Sequence, residues 1–140
     1  IQSSLKNGSY MPDTTIQPFA SIMAYKARPL NGIWATAPYL HNGSVPTLYD
    51  LLLPKRQAND PLEGEYRPDE FMVGSREFDP EKVGFKSTDY EGFLFRTHIW
   101  GNYNAGHEYA SGRTSQPDGT LLPALTKEQR LDLLEYLKSL

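Results

Sequence analysis

Cysteine is absent from the 140 residues. Its absence excludes disulfides, thiolate metal sites and cysteine nucleophiles, and also the C-x-x-C-H run that holds a c-type haem covalently. No apolar stretch approaches the ~20 residues needed to cross a bilayer. No basic run is longer than Lys55-Arg56, and with a net charge of −3 and an isoelectric point near 5.6 the chain is not suited to nucleic acid as its main partner. Phosphate loops and dinucleotide fingerprints are missing. Ser44 lies near His41 but outside any G-x-S-x-G elbow. The opening Ile1-Gln2-Ser3 has neither an initiator Met nor a charged-then-apolar leader, as expected of a piece of a longer polypeptide.

What is plentiful is punctuation. Gly and Pro contribute 11 residues each and aromatics make up 12% of the chain. Such a composition predicts one loop-rich domain whose loops are anchored by large side chains. Residues 1–16 are polar and turn-rich, and an extended lead-in is expected over 1–18. Phe19 to Tyr25 allows a helical turn or two, stopped by Arg28-Pro29, because the residue before proline avoids the α region. Asn31-Gly32 and Asn42-Gly43 are turn dipeptides. Ser44 to Leu53 reads as a short helix with Ser44 as cap, Pro46 in its first turn, Leu48, Leu51 and Leu52 on one face, and Pro54 as its stop.

Residues 55–69 are charged and proline-rich, an expected exposed loop. Glu70-Phe71-Met72-Val73 and Val83-Gly84-Phe85 read as strands flanking a turn at Asp79-Pro80, with a third strand through Phe93-Leu94-Phe95. Residues 101–119 are irregular. Thr126-Lys127-Glu128-Gln129 is a capping box, and Leu133, Leu137 and Leu140, widened by Leu134 and Tyr136, give the closing segment an amphipathic helical face.

Metal chemistry rests on His41, His98 and His107, whose spacings of 57 and 9 residues match no compact zinc motif. His107 stands in Asn104-Ala105-Gly106-His107-Glu108-Tyr109, where Gly106 permits a turn that presents an imidazole. The carboxylates Asp50, Glu63, Glu65, Asp69 and Glu70 read as a solvated face rather than an acid–base pair.

Lys26 to Leu48, above all Thr36-Ala37-Pro38-Tyr39-Leu40-His41-Asn42-Gly43-Ser44-Val45-Pro46-Thr47-Leu48, resembles a signature segment in the second haem domain of bacterial dihaem cytochrome c peroxidases. Arg28-Pro29-Leu30-Asn31-Gly32-Ile33-Trp34, Val73 to Pro80, Asn104 to Tyr109 and the closing helix look closer still to the rubber oxygenase branch. Together the resemblance covers about residues 20–140.

Two departures carry information. Typical peroxidases have an arginine near the haem in the stretch Leu30-Asn31-Gly32, and it is missing here. Peroxidases also place an axial methionine fourteen residues after the signature histidine, where this chain has Lys55. In the rubber oxygenase branch a late histidine takes that role, so the resemblance implies His107 as the metal ligand. It implies His41, Tyr39, Trp34, Asn42 and Arg28 as cofactor-binding residues, with Trp100 and Tyr109 as further candidates for a pocket wall; core packing explains the aromatics equally well.

The fold expected from the resemblance is mainly α and loop-rich, the distal half of a cytochrome c-like domain with a small inserted β-hairpin element. Residues 1–140 form a single partial domain without its haem-attachment half. Its implied setting is a periplasmic or secreted dihaem oxidoreductase, peroxidase or oxygenase-like, with haem c attached elsewhere in the same protein. The implied partners are the upstream haem-bearing part and a small electron-donor protein. A haem-free structural or binding module on the same scaffold is the alternative.

Overall fold

A computed structural model describes residues 28–106, 108, 111–113, 115–116 and 118–140. The expected lead-in, the turn over Phe19–Tyr25, His107 and Tyr109 lie outside the described residues. Long loops connect two α-helices, α1 (Leu48–Leu51) and α2 (Lys127–Lys138), with four strands, β1 (Glu70–Val73), β2 (Phe78–Asp79), β3 (Gly84–Phe85) and β4 (Phe93–Arg96). One 3-10 turn, Ile33–Ala35, precedes α1. The loop-rich expectation holds and the mainly-α one does not. Regular helix among the described residues is confined to α1, α2 and that turn.

The signature segment shows why. Tyr39 and Val45 exchange backbone hydrogen bonds, Tyr39 N–H to Val45 at 2.7 Å and Val45 N–H to Tyr39 at 3.3 Å. Gly43, in the left-handed region at φ 67°, turns the chain between them. Val45 is therefore committed to a bridge and cannot begin a helix. The Ser44 hydroxyl is engaged with the Tyr103 carbonyl at 3.2 Å. α1 starts only at Leu48, capped by Thr47 rather than Ser44: the Thr47 hydroxyl accepts from Asp50 N–H at 3.1 Å and donates to its carboxylate at 2.6 Å.

The β element departs from expectation in its pairing. β1 pairs antiparallel with β4, Phe71 opposite Phe95 and Glu70 opposite Arg96, while β2 and β3 form a separate hairpin with Phe78 opposite Phe85. Cross-strand aromatics explain both choices: Phe71 and Phe95 stack at 5.1 Å, and Phe78 and Phe85 meet edge to face at 6.1 Å. The turn at Asp79-Pro80 is where the sequence puts it. The Asp79 carboxylate accepts from the Glu81 and Lys82 amides at 2.8 and 3.0 Å.

That turn also serves α1. The Val83 carbonyl accepts from Leu48 N–H at 2.8 Å and the Lys82 carbonyl from Tyr49 N–H at 3.0 Å. Both are first-turn amides that a helix cannot satisfy internally. Val83 adopts φ 59°, rare for a β-branched residue, and its side chain is buried in the core.

α2 begins with the expected capping box: Thr126 Oγ1 accepts from Gln129 N–H at 3.2 Å, and Gln129 Oε1 accepts from Thr126 N–H at 3.0 Å. Its inward row is Arg130, Leu134 and Leu137, with Leu133 and Leu140 partly buried beside it. Tyr136, expected to widen that face, is 59% exposed, because it falls on the far side of the Arg130–Leu134–Leu137 row. α2 closes one core with Tyr39, Val45, Leu48, Tyr49, Leu53 and Val83, and Gly32 N–H donates to the Leu140 carbonyl at 3.1 Å. The closing helix thus docks on the signature segment. No helix among the described residues is long and apolar enough to cross a membrane.

Candidate functional site

Five of the sequence-implied site residues fall on or just before the signature turn, and the fold divides them. Tyr39 is buried, its hydroxyl donates to the Ile33 carbonyl at 2.9 Å, and burial pushes its pKa up to about 12. Asn42 is fully engaged within the fold: its amide donates to the Gly101 and Tyr103 carbonyls at 3.1 and 3.0 Å, and its oxygen accepts from Ser44 N–H at 3.2 Å. These bonds draw the 101–103 loop against the turn, where Trp100 and Tyr103 meet edge to face at 6.0 Å. By contrast Arg28 and His41 are exposed, and Trp34 is 45% exposed. His98 lies on the surface just beyond β4. Trp100 is 88% exposed.

The segment leading to residue 107 is held at both of its flanks. Arg67 is 2% exposed, and its guanidinium donates to the Asn104 and Gly106 carbonyls, each at 2.7 Å, and to the Leu51 carbonyl at 2.9 Å. Asn104, also buried, donates from Nδ2 to the Pro68 carbonyl at 2.9 Å. On the other side of residue 107, the Glu108 carboxylate accepts from Lys55 N–H at 2.7 Å. Lys55 Nζ is itself ion-paired with Asp69.

Arg113 completes the arrangement. It donates to the Lys55 carbonyl at 3.0 Å, pairs with Asp60, and lies 3.6 Å from Glu108. Lys55, Gln57, Ala105, Glu108, Ser111 and Arg113 line a cleft of about 420 Å³ here. The bond from the Gln57 amide, and after it the Arg113 guanidinium, hold the Asp60 carboxyl below its ordinary value.

Residues 55–69 are therefore not simply an exposed loop, since a buried arginine anchors them inward. Four of the carboxylates expected to be solvated, Asp50, Glu65, Asp69 and Glu70, are partnered, while Glu63 is exposed. Glu65 receives the Tyr49 hydroxyl at 3.0 Å and Arg130 at 2.7 Å, and Glu70 pairs with Arg96 at 3.1 Å. No cluster of three His, Asp or Glu among the described residues could share a metal ion. Sequence reasoning missed Arg67, Asn104 and Glu108 as structural partners. The available signal was the matched motif Asn104 to Tyr109, which carries both Asn104 and Glu108.

Residues 24–59 match the family model described as RoxA-like, cytochrome c-like. The chain is 49% identical over 119 residues to the uncharacterized protein y4iJ of Sinorhizobium fredii, covering 84% of this chain and 18% of that protein. It is 42% identical over 71 residues to the uncharacterized protein y4iM of the same organism, covering 51% of this chain and 14% of that one. The chain thus spans less than a fifth of the length of these curated relatives. No solved structure matches it significantly. Through the segment that carries Tyr39, His41, Asn42 and Lys55, the chain resembles the RoxA-like, cytochrome c-like family.

Proposed function

We propose that this chain forms the distal side of the electron-transfer haem pocket of a dihaem c-type cytochrome oxidoreductase, with His107 as axial ligand. One observation carries the reading: Glu108, the neighbour of His107, hydrogen-bonds the backbone of Lys55 at 2.7 Å. Lys55 stands where the resembled peroxidases have their axial methionine. Its ammonium is ion-paired with Asp69 and is not free to ligate iron. The fold therefore brings the neighbour of a distant histidine to the position from which the usual ligand is missing.

The residues present fit a haem held non-covalently on this side. With no cysteine, this chain forms no thioether, and the attaching thiols belong to another stretch of polypeptide. Asn104 Oδ1 is fully buried without a hydrogen-bond partner, three residues before His107. An acceptor there suits the ring N–H that a ligating imidazole keeps, which is usually fixed by a nearby oxygen. A haem held here by His107 would supply one-electron transfer. Arg28, His41 and Trp34 are the exposed groups able to meet propionate or porphyrin edge, while Tyr39 and Asn42 shape the turn that presents them. The reacting centre, using peroxide or oxygen, lies on a second haem in the longer protein. A periplasmic or secreted location and a small electron-donor protein complete the proposal.

The test uses the full-length protein. H107A vacates one axial site, so that haem moves from low spin toward high spin and takes up small ligands more readily, whereas H41A stays low spin. A spin state that follows His41 and ignores His107 overturns the assignment. The 140-residue chain alone should retain no haem through acid-acetone extraction, and retained haem would contradict the missing thiols. A haem-free structural module is the second reading, favoured by the internal engagement of Tyr39 and Asn42. Absence of C-x-x-C-H from the rest of the polypeptide would establish it.

A further inference from the structure

We propose that Arg67 is the positioning residue for the axial histidine, a role that rests on His107 being the ligand. The argument starts from geometry. A single guanidinium nitrogen bonds the carbonyls of Asn104 and Gly106, two residues apart, and so fixes the curvature of the strand of loop between them. The other terminal nitrogen bonds Leu51, the last residue of α1. The loop that reaches residue 107 is thereby tied to the helix that follows the signature turn.

The tie is reciprocal. Arg67 reaches the backbone of Asn104, and the Asn104 side chain reaches back to the carbonyl of Pro68, next to Arg67. The Arg67 amide itself donates to the Pro54 carbonyl at 2.9 Å, one residue before Lys55. Arginine is suited to this place because its planar fork presents several donors in fixed directions, whereas lysine offers a compact charge on a flexible stem. A fork buried to this degree holds its partners in one register. That register extends to Gly106, the residue next to His107 in the chain.

The roles are separated by comparing R67Q, R67K and H107A in the full-length, haem-loaded protein. Low-temperature EPR reads the spin state, and imidazole titration reads access to the axial position. H107A opens the position outright and should be high spin until imidazole fills it. R67Q leaves His107 in place but frees its loop, so a mixed spin state is expected, with apparent imidazole binding about 10–100-fold tighter than in the wild type. R67K, which keeps the charge and loses the fork, should fall between the wild type and R67Q. A merely structural role would lower the melting temperature and leave spin state and imidazole affinity alone. A wild-type spectrum and imidazole affinity in R67Q beside a high-spin H107A overturn the positioning role. If R67Q fails to fold, the same result in R67K overturns it. A low-spin H107A instead overturns the ligand reading and, with it, the proposal built on it.

Discussion

Around α1 and α2 the side chains withdrawn from solvent are mostly apolar, Tyr39, Val45, Leu48, Tyr49, Leu53, Leu134 and Leu137, with Thr47 and Arg130 among them; around the loop that leads to residue 107 they include Arg67, Thr97 and Asn104. The first group is held by apolar burial, which has no preferred direction and tolerates small shifts. The second is held by hydrogen bonds from side chains to backbone carbonyls, which weaken steeply when misaligned. A region fastened in the second way is placed more sharply and gives way in steps.

The largest effect is expected in the apolar region. Leu134 is 1% exposed at the centre of the core, so L134A should destabilise the chain by about 2–5 kcal/mol. Denaturant titration checks this, and a change below about half a kcal/mol would mean that α2 does not dock. A smaller effect is expected in the polar region. The Thr97 hydroxyl donates to the Asp69 carbonyl at 2.9 Å from a buried site. T97V keeps the shape and removes that bond, while the Asp69 carbonyl still accepts from the residue 97 N–H at 2.9 Å, so the cost is about 0.5–1.5 kcal/mol. If the two regions are fastened separately, deuterium uptake in T97V rises around residues 67–69 and 97–104 and stays unchanged along α2. Uniform uptake along the chain would erase the distinction.

The smallest effect concerns the ionic seam between the regions. Burial alone would raise the Glu65 carboxyl, but the bonds from Tyr49 and Arg130, with Lys127 nearby, hold it below its ordinary value. Its contribution is therefore present above the ordinary glutamate range and is lost as pH falls through the depressed folded value. Asp50 has the opposite sign, since burial raises it and its contribution fades as pH rises. E65Q should flatten the acid limb of the stability curve with a slight loss at neutral pH, Glu65 being partly exposed. An unchanged acid limb would show that Tyr49 and Arg130 do not sense that charge.

The two regions also differ in how far the sequence discloses them. The capping box at Thr126, the Leu134–Leu137 face and the turns at Gly32 and Gly43 follow from local rules, because each depends on residues a few positions apart. The pairing of β1 with β4 depends on Phe71 meeting Phe95, more than twenty residues away, so short-range pattern favours the wrong partner. Arg67 is harder still. A lone arginine in a charged, proline-rich stretch has the composition of a solvated loop, and only the three carbonyls converging on it reveal its burial. His41 and Lys55 were legible as motif positions, whereas the approach of Glu108 to Lys55 belongs to tertiary structure alone.

The hairpin tip at Val83-Gly84 imposes a limit on how this protein can change. A β-carbon added at Gly84 would come within 2.5 Å of the Pro46 carbonyl oxygen and 2.8 Å of Thr47 Cα, both backbone atoms with no room to yield. Beside it, Val83 accepts an unfavourable left-handed backbone so that its carbonyl can seat on α1. The β2–β3 hairpin is keyed through this turn to the signature segment. Replacing the turn would unseat the first turn of α1, so the hairpin and the motif are constrained to change as a single unit.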